Sequence, residues 1–137
     1  MMRNQIEWLE RLTEAYQFKK VASEDGYTYI LHESYEQEKV GKIEDKTAFE
    51  AVENHVHLLD RVKLKEYKKL EKIAPTLCMT LLASLKYQYP SRSFSAYVTI
   101  TLHDSMILRF HQNWDGEPPY YDENTQDPQT SLFAARG

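Results

Sequence analysis

One stretch of the chain restricts the fold more than any other, the run FSAYVTITLHDSMILRFHQNW over residues 94–114. Apolar and polar side chains alternate along it, which is the period of a β-strand with one buried face. The apolar positions are Ala96, Val98, Ile100 and Leu102 in the first half and Met106, Leu108 and Phe110 in the second. We therefore predict an antiparallel hairpin over residues 95–113.

The register of this hairpin follows from which side chains must share a face. A two-residue loop at Asp104-Ser105 would place Ile100 opposite Arg109 and so mix core with charge. An odd loop keeps one face apolar, and the simplest is His103-Asp104-Ser105. The predicted pairs are Leu102 with Met106, Ile100 with Leu108 and Val98 with Phe110. The opposite face then carries Tyr97, Arg109 and His111, and is either solvated or a binding surface.

The N-terminal third predicts a helix followed by a second hairpin. Apolar residues at helical spacing indicate an amphipathic helix over residues 4–20. Asp25-Gly26 supplies a turn, after which YTYILH is rich in aromatic and β-branched residues. With EKVGKI as the returning strand, we predict a hairpin over residues 27–43.

The middle of the chain predicts two helices. Thr47 and Glu50 have the spacing of a capping box and begin a helix over residues 47–73, irregular near Arg61 where the apolar stripe loses register. Pro75 interrupts it, because proline lacks the N–H group of a helix interior. The second helix covers residues 76–87. Its apolar residues leave few polar faces, so we expect it to be the central buried helix.

These elements predict an α+β fold with an antiparallel sheet of about four strands packed by helices. The 137 residues fit one domain, which we place at 1–122. Residues 123–137 show no periodicity and are expected to form a tail. The lone Cys78 excludes an intramolecular disulfide framework. The opening MMRNQIEWLERL lacks the apolar stretch of a signal peptide, and no segment is apolar enough to span a membrane, so we expect a cytoplasmic protein.

The sequence offers few candidate residues for catalysis or metal binding. Arg109 and His111, with His32 of the first hairpin, suggest a small hydrolase or nuclease as an alternative function. No nucleophile, phosphate loop or carboxylate pair accompanies them, so no catalytic residue and no cofactor are assigned. His55 and His57 have a metal-ligand spacing for a strand, but on the predicted helix they point about 200° apart, and no metal site is assigned.

A basic stripe is the candidate for nucleic-acid binding. It consists of Arg61, Lys65, Lys68 and Lys72, which share one side if the helix is continuous. Glu66 and Glu71 interrupt the positive charge, and the net charge of the chain is −4, which argues against a dedicated nucleic-acid binder.

The segment NWDGEPPYYDEN over residues 113–124 has two interpretations. PPYY fits the P-P-x-Y pattern that WW-type grooves accept. In the structural interpretation a turn at Asp115-Gly116 ends the strand, the prolines prevent further pairing, and the aromatic residues hold the segment on the body. The second is favoured, although an aromatic and acidic segment also suits docking.

The leading prediction is therefore a small non-catalytic interaction protein that binds and inhibits or regulates another macromolecule, as immunity-type inhibitors and phage-encoded regulators do. Ten tyrosines and segregated charge motivate it. The predicted partner is a protein of unknown identity, and membrane binding is not expected. Tyrosine, tryptophan and arginine dominate interface energetics. The predicted contact residues are Tyr97, Arg109, His111, Trp114, Tyr120 and Tyr121.

A second alternative function concerns the tail. QTSLF at residues 129–133 resembles the Q-x-x-L-F peptide by which bacterial proteins dock on the replication sliding clamp. Gln129 matches the glutamine of the motif, and Leu132 and Phe133 match the pair that enters the clamp's hydrophobic pocket. The resemblance covers five residues and implies a clamp ligand. In the other interpretation, Leu132 and Phe133 fold back onto the domain.

Overall fold

The computed structural model describes residues 3–121 and 127–137. It confirms the α+β class, with three helices and two sheets in the described part of the chain. In chain order the elements are α1 Arg3–Ala15, β1 Phe18–Ser23, β2 Thr28–His32, β3 Lys39–Val40, α2 Lys46–Glu53, β4 His55–Leu59, α3 Leu64–Gln88, β5 Phe94–Thr101, β6 Met106–Gln112 and β7 Thr130–Arg136.

The larger sheet has the strand order β4-β6-β5-β7 and is antiparallel throughout. Helix α3 packs across β5 and β7, and the main core lies between the helix and the sheet. The sheet contributes the alternating apolar residues that the sequence pattern singled out. The buried residues of this core include Val98, Ile100, Leu108 and Phe110 from the sheet and Cys78, Leu81 and Leu85 from α3.

The smaller sheet has the order β2-β1-β3, with β1 antiparallel to β2 and parallel to β3. The predicted hairpin over residues 27–43 is therefore wrong, because β2 pairs with the strand that precedes it. The helix predicted over residues 4–20 ends at Ala15, and Phe18 begins β1. Residues 18–23 form a strand and not a helix because they pair with β2, for example Val21 with Tyr29. A local sequence pattern does not show such pairing. The turn predicted at Asp25-Gly26 joins the two strands, with Gly26 at φ 91°.

The helix predicted over residues 47–73 is three elements, α2, β4 and α3. Val56 and Leu58 are buried while His55 and His57 are exposed, which is the alternation of a strand. The same apolar residues also fit a helical spacing, and a short run cannot distinguish the two. The capping box is also wrong. Asp45 is the N-cap of α2 and its carboxylate accepts a hydrogen bond from the Ala48 N–H at 2.9 Å.

Pro75 lies inside α3 and does not end it, so the predicted pair of helices 47–73 and 76–87 is one helix from residue 64 onward. Ala74 and Cys78 are fully buried on either side of the proline. Packing of both halves against one sheet outweighs the lost backbone hydrogen bond, which costs roughly 3 kcal/mol in an isolated helix. Despite its length, α3 is not apolar enough to cross a bilayer, and no other helix in the described part of the chain is.

The late hairpin keeps its predicted apolar face but slips by two residues. Ile100 pairs with Met106 and Val98 with Leu108. A slip of two leaves every side chain on the same face, so the alternation could not exclude it. The Thr101 N–H donates to the Ser105 carbonyl at 2.8 Å, which makes the loop Leu102-His103-Asp104, odd as predicted but one residue earlier. His103 takes the left-handed φ of 65° in this loop.

The predicted tail contributes a strand. Residues 130–136 form β7, which pairs with β5 from Ser95–Arg136 to Thr101–Thr130. Phe133 and Ala135 pack against the main core. The segment has no charged residue between Asp127 and Arg136, and its spacing gave no signal of one buried face. The first four residues of the predicted tail, 123–126, lie outside the described residues, as does residue 122.

Candidate functional site

The face of the larger sheet that is turned away from α3 is not solvated along β6, as the placement of the predicted contact residues shows. Tyr97 is 4% exposed and His111 is 1% exposed. Helix α2 and residues 113–121 cover this part of the sheet. The prediction of an outward face is therefore wrong at these two side chains. Their role in partner binding stays a prediction.

Both ring nitrogens of His111 are used within the fold. Nδ1 lies 2.8 Å from the Gln112 carbonyl, to which it can only donate. Nε2 then accepts from the Tyr97 hydroxyl at 2.9 Å and from the Tyr120 N–H at 3.3 Å. Burial lowers the pKa of His111, which agrees with a neutral ring. This imidazole holds residue 120 on the sheet and has no nitrogen left for a substrate proton.

Arg109 joins α2 to the aromatic cluster formed by Tyr97, Tyr120 and Tyr121. Its guanidinium donates to the Ala51 carbonyl in the last turn of α2, where the helix dipole favours a cation. It also lies 5.0 Å from the ring centre of Tyr120 and 6.0 Å from that of Tyr121. Tyr120 keeps 37% of its surface exposed. The cluster is thus mainly packing, with Tyr120 at its rim.

Residues 113–121 are held on the body by two polar anchors. The Trp114 indole N–H donates to Glu50 at 2.7 Å. Glu117 accepts from the Thr47 N–H at 2.7 Å and forms an ion pair with Lys46 at 3.3 Å, so this carboxylate caps the start of α2 from a distant loop. Gly116 takes a φ of 78° in the predicted turn. These contacts agree with the structural interpretation of the segment.

A buried polar junction, which the sequence did not reveal, joins the two sheets. Its centre is Glu50, which is fully buried. Four donors surround its carboxylate: the N–H groups of Ile30 and Gln112 at 3.0 and 2.8 Å, the Gln112 amide at 2.8 Å and the Trp114 indole. Burial raises the pKa of Glu50 to about 7, although these hydrogen bonds favour the charged form.

Asn54 completes the junction one helical turn later. Its side chain accepts from the His32 N–H at 3.1 Å and donates to the Ile30 carbonyl at 2.8 Å. Its own carbonyl accepts from the Phe110 N–H at 3.3 Å. Glu50 and Asn54 therefore link the outer edge of β2 to β6. The only sequence signal was a glutamate on the apolar side of a short helix, which resembled a cap.

The junction predicts an unusual pH dependence. Burial raises the pKa of Glu50 from 4.5 to about 7 and lowers that of His32 from 6.5 to about 4. The raised carboxyl pKa stabilises the fold below pH 4.5, and this is lost as pH rises to 7. The lowered pKa of His32 has the opposite effect. It stabilises the fold above pH 6.5, and this stabilisation is lost as the pH falls to 4. Between pH 4.5 and 6.5 the two changes cancel, each amounting to about 2 kcal/mol.

Single substitutions should expose the two opposed contributions. Relative to wild type, Glu50→Gln should lose about 2 kcal/mol more stability when the pH falls from 6.5 to 4.5. His32→Phe should lose about as much when the pH rises over the same range. Denaturant unfolding at several pH values measures both. Profiles of the two variants that run parallel to wild type would contradict the assignment.

His32 lies on the other side of the larger sheet from His111. Its ring packs 5.3 Å from that of Phe110, which belongs to the α3 side, and its Nε2 lies 3.2 Å from the Ala15 carbonyl. Arg109 and His111 point to the opposite side, because they alternate with Phe110 along β6. The structure therefore does not bring together the three residues that the hydrolase or nuclease alternative needs.

His55 and His57 share an exposed face of β4, with ring centres 5.4 Å apart. The prediction that a helix turns them apart is therefore wrong. The Nδ1 atom of His57 lies 3.7 Å from an Asp60 oxygen, and that carboxylate also accepts from Arg11. Within residues 3–121 and 127–137, no three histidine, cysteine, aspartate or glutamate side chains come together as metal ligands.

Helix α3 carries the basic stripe on an exposed face. Arg61 precedes the helix, while Lys65, Lys68 and Lys72 lie on it and are exposed, so only part of the predicted stripe is helical. The same face continues toward the C-terminal end without charge. We call it the outer face of α3, and it comprises Lys65, Lys68, Lys69, Lys72, Ile73, Thr76, Met79, Thr80, Ala83 and Tyr87.

The clamp-like residues are part of a folded strand. Gln129 is exposed, and its N–H donates to the Asp127 carboxylate at 3.0 Å. Leu132 is 36% exposed, whereas Phe133 is partly buried against the core and pairs with Val98. Docking of this peptide in a separate pocket would require β7 to leave the sheet.

No protein-family model, no curated protein and no solved structure matches this chain. The function is therefore argued from the geometry of its own residues.

Proposed function

We propose that the chain is a non-catalytic interaction protein that binds another protein through the outer face of α3 and regulates that partner by covering part of its surface. One observation supports this above the others. Three large apolar side chains stand exposed along this face, with Ile73 at 42%, Met79 at 65% and Tyr87 at 88%.

Residues 73–85 of α3 have the sequence of a helix that is covered on all sides. No charged residue occurs from residue 73 to residue 85, a run of more than three turns. Helices that are uncharged all round are normally buried. In the described chain the sheet covers only one side, through Cys78, Leu81 and Leu85. Ile73, Thr76, Thr80, Ala83 and Tyr87 follow at spacings of three and four and leave an uncovered stripe.

The charge of the outer face favours an acidic protein partner. Four lysines occupy its N-terminal part, where the helix dipole disfavours cations. Glu71 is turned toward β7 and accepts from Ser131 at 3.0 Å. A partner with carboxylates opposite the lysines and apolar side chains opposite Ile73 to Tyr87 would match both parts. Nucleic acid would match only the lysines.

The predicted contact residues around Tyr120 form a second, smaller candidate surface. Tyr120 and the adjoining part of Arg109 offer a small exposed rim. Tyr97 packs against Tyr121, and His111 accepts a hydrogen bond from the Tyr120 N–H, whereas Trp114 contacts Glu50. Tyrosine and arginine are enriched in binding hot spots, so this rim remains a candidate second contact.

Affinity capture from the native host, after nuclease treatment, tests the proposal. The immobilised variant Ile73→Ser/Met79→Ser/Tyr87→Ser should lose a protein that wild type retains, by a factor of about 10 or more, since hot-spot residues each contribute at least ~1 kcal/mol. A control variant replaces three exposed apolar residues elsewhere, Ile6, Leu9 and Val52, by serine.

The control variant should capture the same protein as wild type. Equal loss with both triple variants would indicate general stickiness and contradict the proposal. Capture that depends on intact nucleic acid would replace it with the nucleic-acid alternative. Circular dichroism of each variant shows that the fold is retained.

A further inference from the structure

We propose that the open edge of β7 pairs antiparallel with β7 of a second copy of this chain, joining two four-stranded sheets into one of eight strands. This goes beyond the proposed function, because it uses a different surface. The other sheet edges in the described part of the chain are closed, covered or short, whereas the edge of β7 is open.

The outer edge of β2 is closed by side chains. The Ile30 N–H donates to Glu50 at 3.0 Å and the His32 N–H to Asn54 at 3.1 Å. The Thr28 carbonyl accepts from the Gln112 amide at 3.1 Å. The Ile30 carbonyl accepts from the Asn54 amide at 2.8 Å, and the His32 carbonyl accepts from the Tyr35 N–H at 3.0 Å, so most outward backbone groups of these residues have a partner within the chain. An edge treated in this way cannot accept another strand.

The remaining edges offer little for pairing. At β4, Arg11 of α1 donates to the His57 carbonyl at 3.2 Å, and α1 packs along the strand. Strand β3 is only two residues long. Short and covered edges are the usual protection of sheets against association.

The outer edge of β7 has no such partner among the described residues. Gly137 and Phe94 exchange both backbone hydrogen bonds, at 2.8 and 3.0 Å, so the odd-numbered residues of β7 bond to β5. The even-numbered residues Leu132, Ala134 and Arg136 therefore direct their N–H and carbonyl groups outward. No side chain in the described ranges bonds to these groups.

The composition of β7 also lacks the usual protection of an edge. No lysine, proline or charged residue occurs from residue 129 to residue 135. The pairing with β5 runs through all seven residues of the strand without a bulge. An edge of this length, uncharged and regular, is a template for pairing.

Self-pairing about a two-fold axis at Phe133 uses this edge most fully. It sets Leu132 opposite Ala134 of the other copy, and Thr130 opposite Arg136, so all four even positions of each strand take part. Leu132 would bury its exposed side chain against that alanine. Arg136 would lie opposite Thr130 of the other copy, whose hydroxyl donates to Asp127 at 3.4 Å, so opposite charges come near each other at both ends. A two-fold contact also closes on itself, as stable dimers require.

Sedimentation equilibrium of the whole chain over a range of concentrations tests the inference. Wild type should be a dimer at micromolar concentration. Leu132→Lys should be monomeric, because it places a charge at the edge. Ala134→Pro should also be monomeric. It removes an outward N–H and leaves the hydrogen bonds to β5 intact. Val52→Lys is the matched control on an exposed site away from β7 and should remain dimeric.

Circular dichroism and thermal melting establish that each variant is folded. A wild-type protein that is monomeric at all concentrations would overturn the inference. A dimer that persists in folded Leu132→Lys would also overturn the inference. In that case, loss of the dimer in the Ile73/Met79/Tyr87 serine variant would show which surface forms it. The last result would move self-association to α3, and it would also separate this inference from the proposed function.

Discussion

Glu50→Ala is expected to leave the protein unfolded or nearly so at 25 °C. The substitution removes the acceptor for the N–H groups of Ile30 and Gln112 and for the side chains of Gln112 and Trp114. Three of these hydrogen bonds are buried, and the fourth, from the Trp114 indole, is partly buried. A buried donor left without an acceptor costs roughly 1–3 kcal/mol.

Three buried donors and the partly buried Trp114 indole can together consume the stability of a domain of this size, which is typically about 5–15 kcal/mol. Urea unfolding followed by tryptophan fluorescence measures the effect, because Trp114 contacts Glu50 directly. Glu53→Ala is the matched control, since Glu53 is exposed on the same helix, and it should change stability by less than about 0.5 kcal/mol. The contradicting result is a free energy of unfolding for Glu50→Ala that lies within about 1 kcal/mol of wild type. One ordinary hydrogen bond contributes about this much, so the junction would then not be needed for stability.

Deletion of residues 128–137 is expected to abolish the cooperative fold. If residues 123–137 were a tail outside the domain, as the sequence predicts, this truncation would leave the fold intact. In the structure it strips β7 from β5, and it removes Phe133 and Ala135 from the main core. It also takes away Ser131, which bonds to Tyr67 and Glu71 of α3. Loss of a partly buried phenylalanine alone costs on the order of 3 kcal/mol.

The thermal transition of the truncated chain, followed by circular dichroism, checks this expectation. Gln129→Ala is the control, because its side chain is exposed and its removal eliminates the glutamine of the clamp-like motif without touching the strand. That variant should melt like wild type. If the truncated chain also melted cooperatively near the wild-type temperature, β7 would be an appended segment and not part of the core.

The sequence predicted the fold where one face of an element is strictly apolar. The alternation from Ala96 to Phe110 correctly identified the late hairpin and its buried side. It could not choose between registers two residues apart, because both leave Val98 and Ile100 in the core. The observed register depends on the left-handed turn at His103, which no alternation encodes.

The elements that were mistaken are those decided by long-range pairing. Val56 and Leu58 fit a helix or a strand equally well, and pairing with β6 selects the strand. β7 has no local signature, since Leu132 and Ala134 are exposed while Phe133 and Ala135 pack inward, all four being apolar. Proline chemistry alone predicts that the helix ends at position 75, whereas packing against the sheet stabilises both halves of α3.

The candidate sites differ from the sequence-based predictions because they too depend on contacts between distant segments. Arg109 and His111 were correctly placed on the face opposite the core. The sequence did not show that α2 and residues 113–121 would cover that face. The local pattern predicts a capping role for Glu50, because nothing local indicates that its carboxylate would meet donors from β2 and β6. The sequence does not predict the exposed apolar part of α3, because the apolar composition of residues 76–87 predicts complete burial.

The affinity of the captured partner for the outer face of α3 tests the central claim most directly. Isothermal titration of the purified partner into wild type, the Ile73/Met79/Tyr87 serine variant and the Ile6/Leu9/Val52 serine variant gives three dissociation constants. The proposal predicts that Kd rises at least about tenfold, or ~1.4 kcal/mol, in the α3 variant and stays within about twofold of wild type in the control. A Kd that is unchanged in the α3 variant would show that binding occurs elsewhere on the molecule.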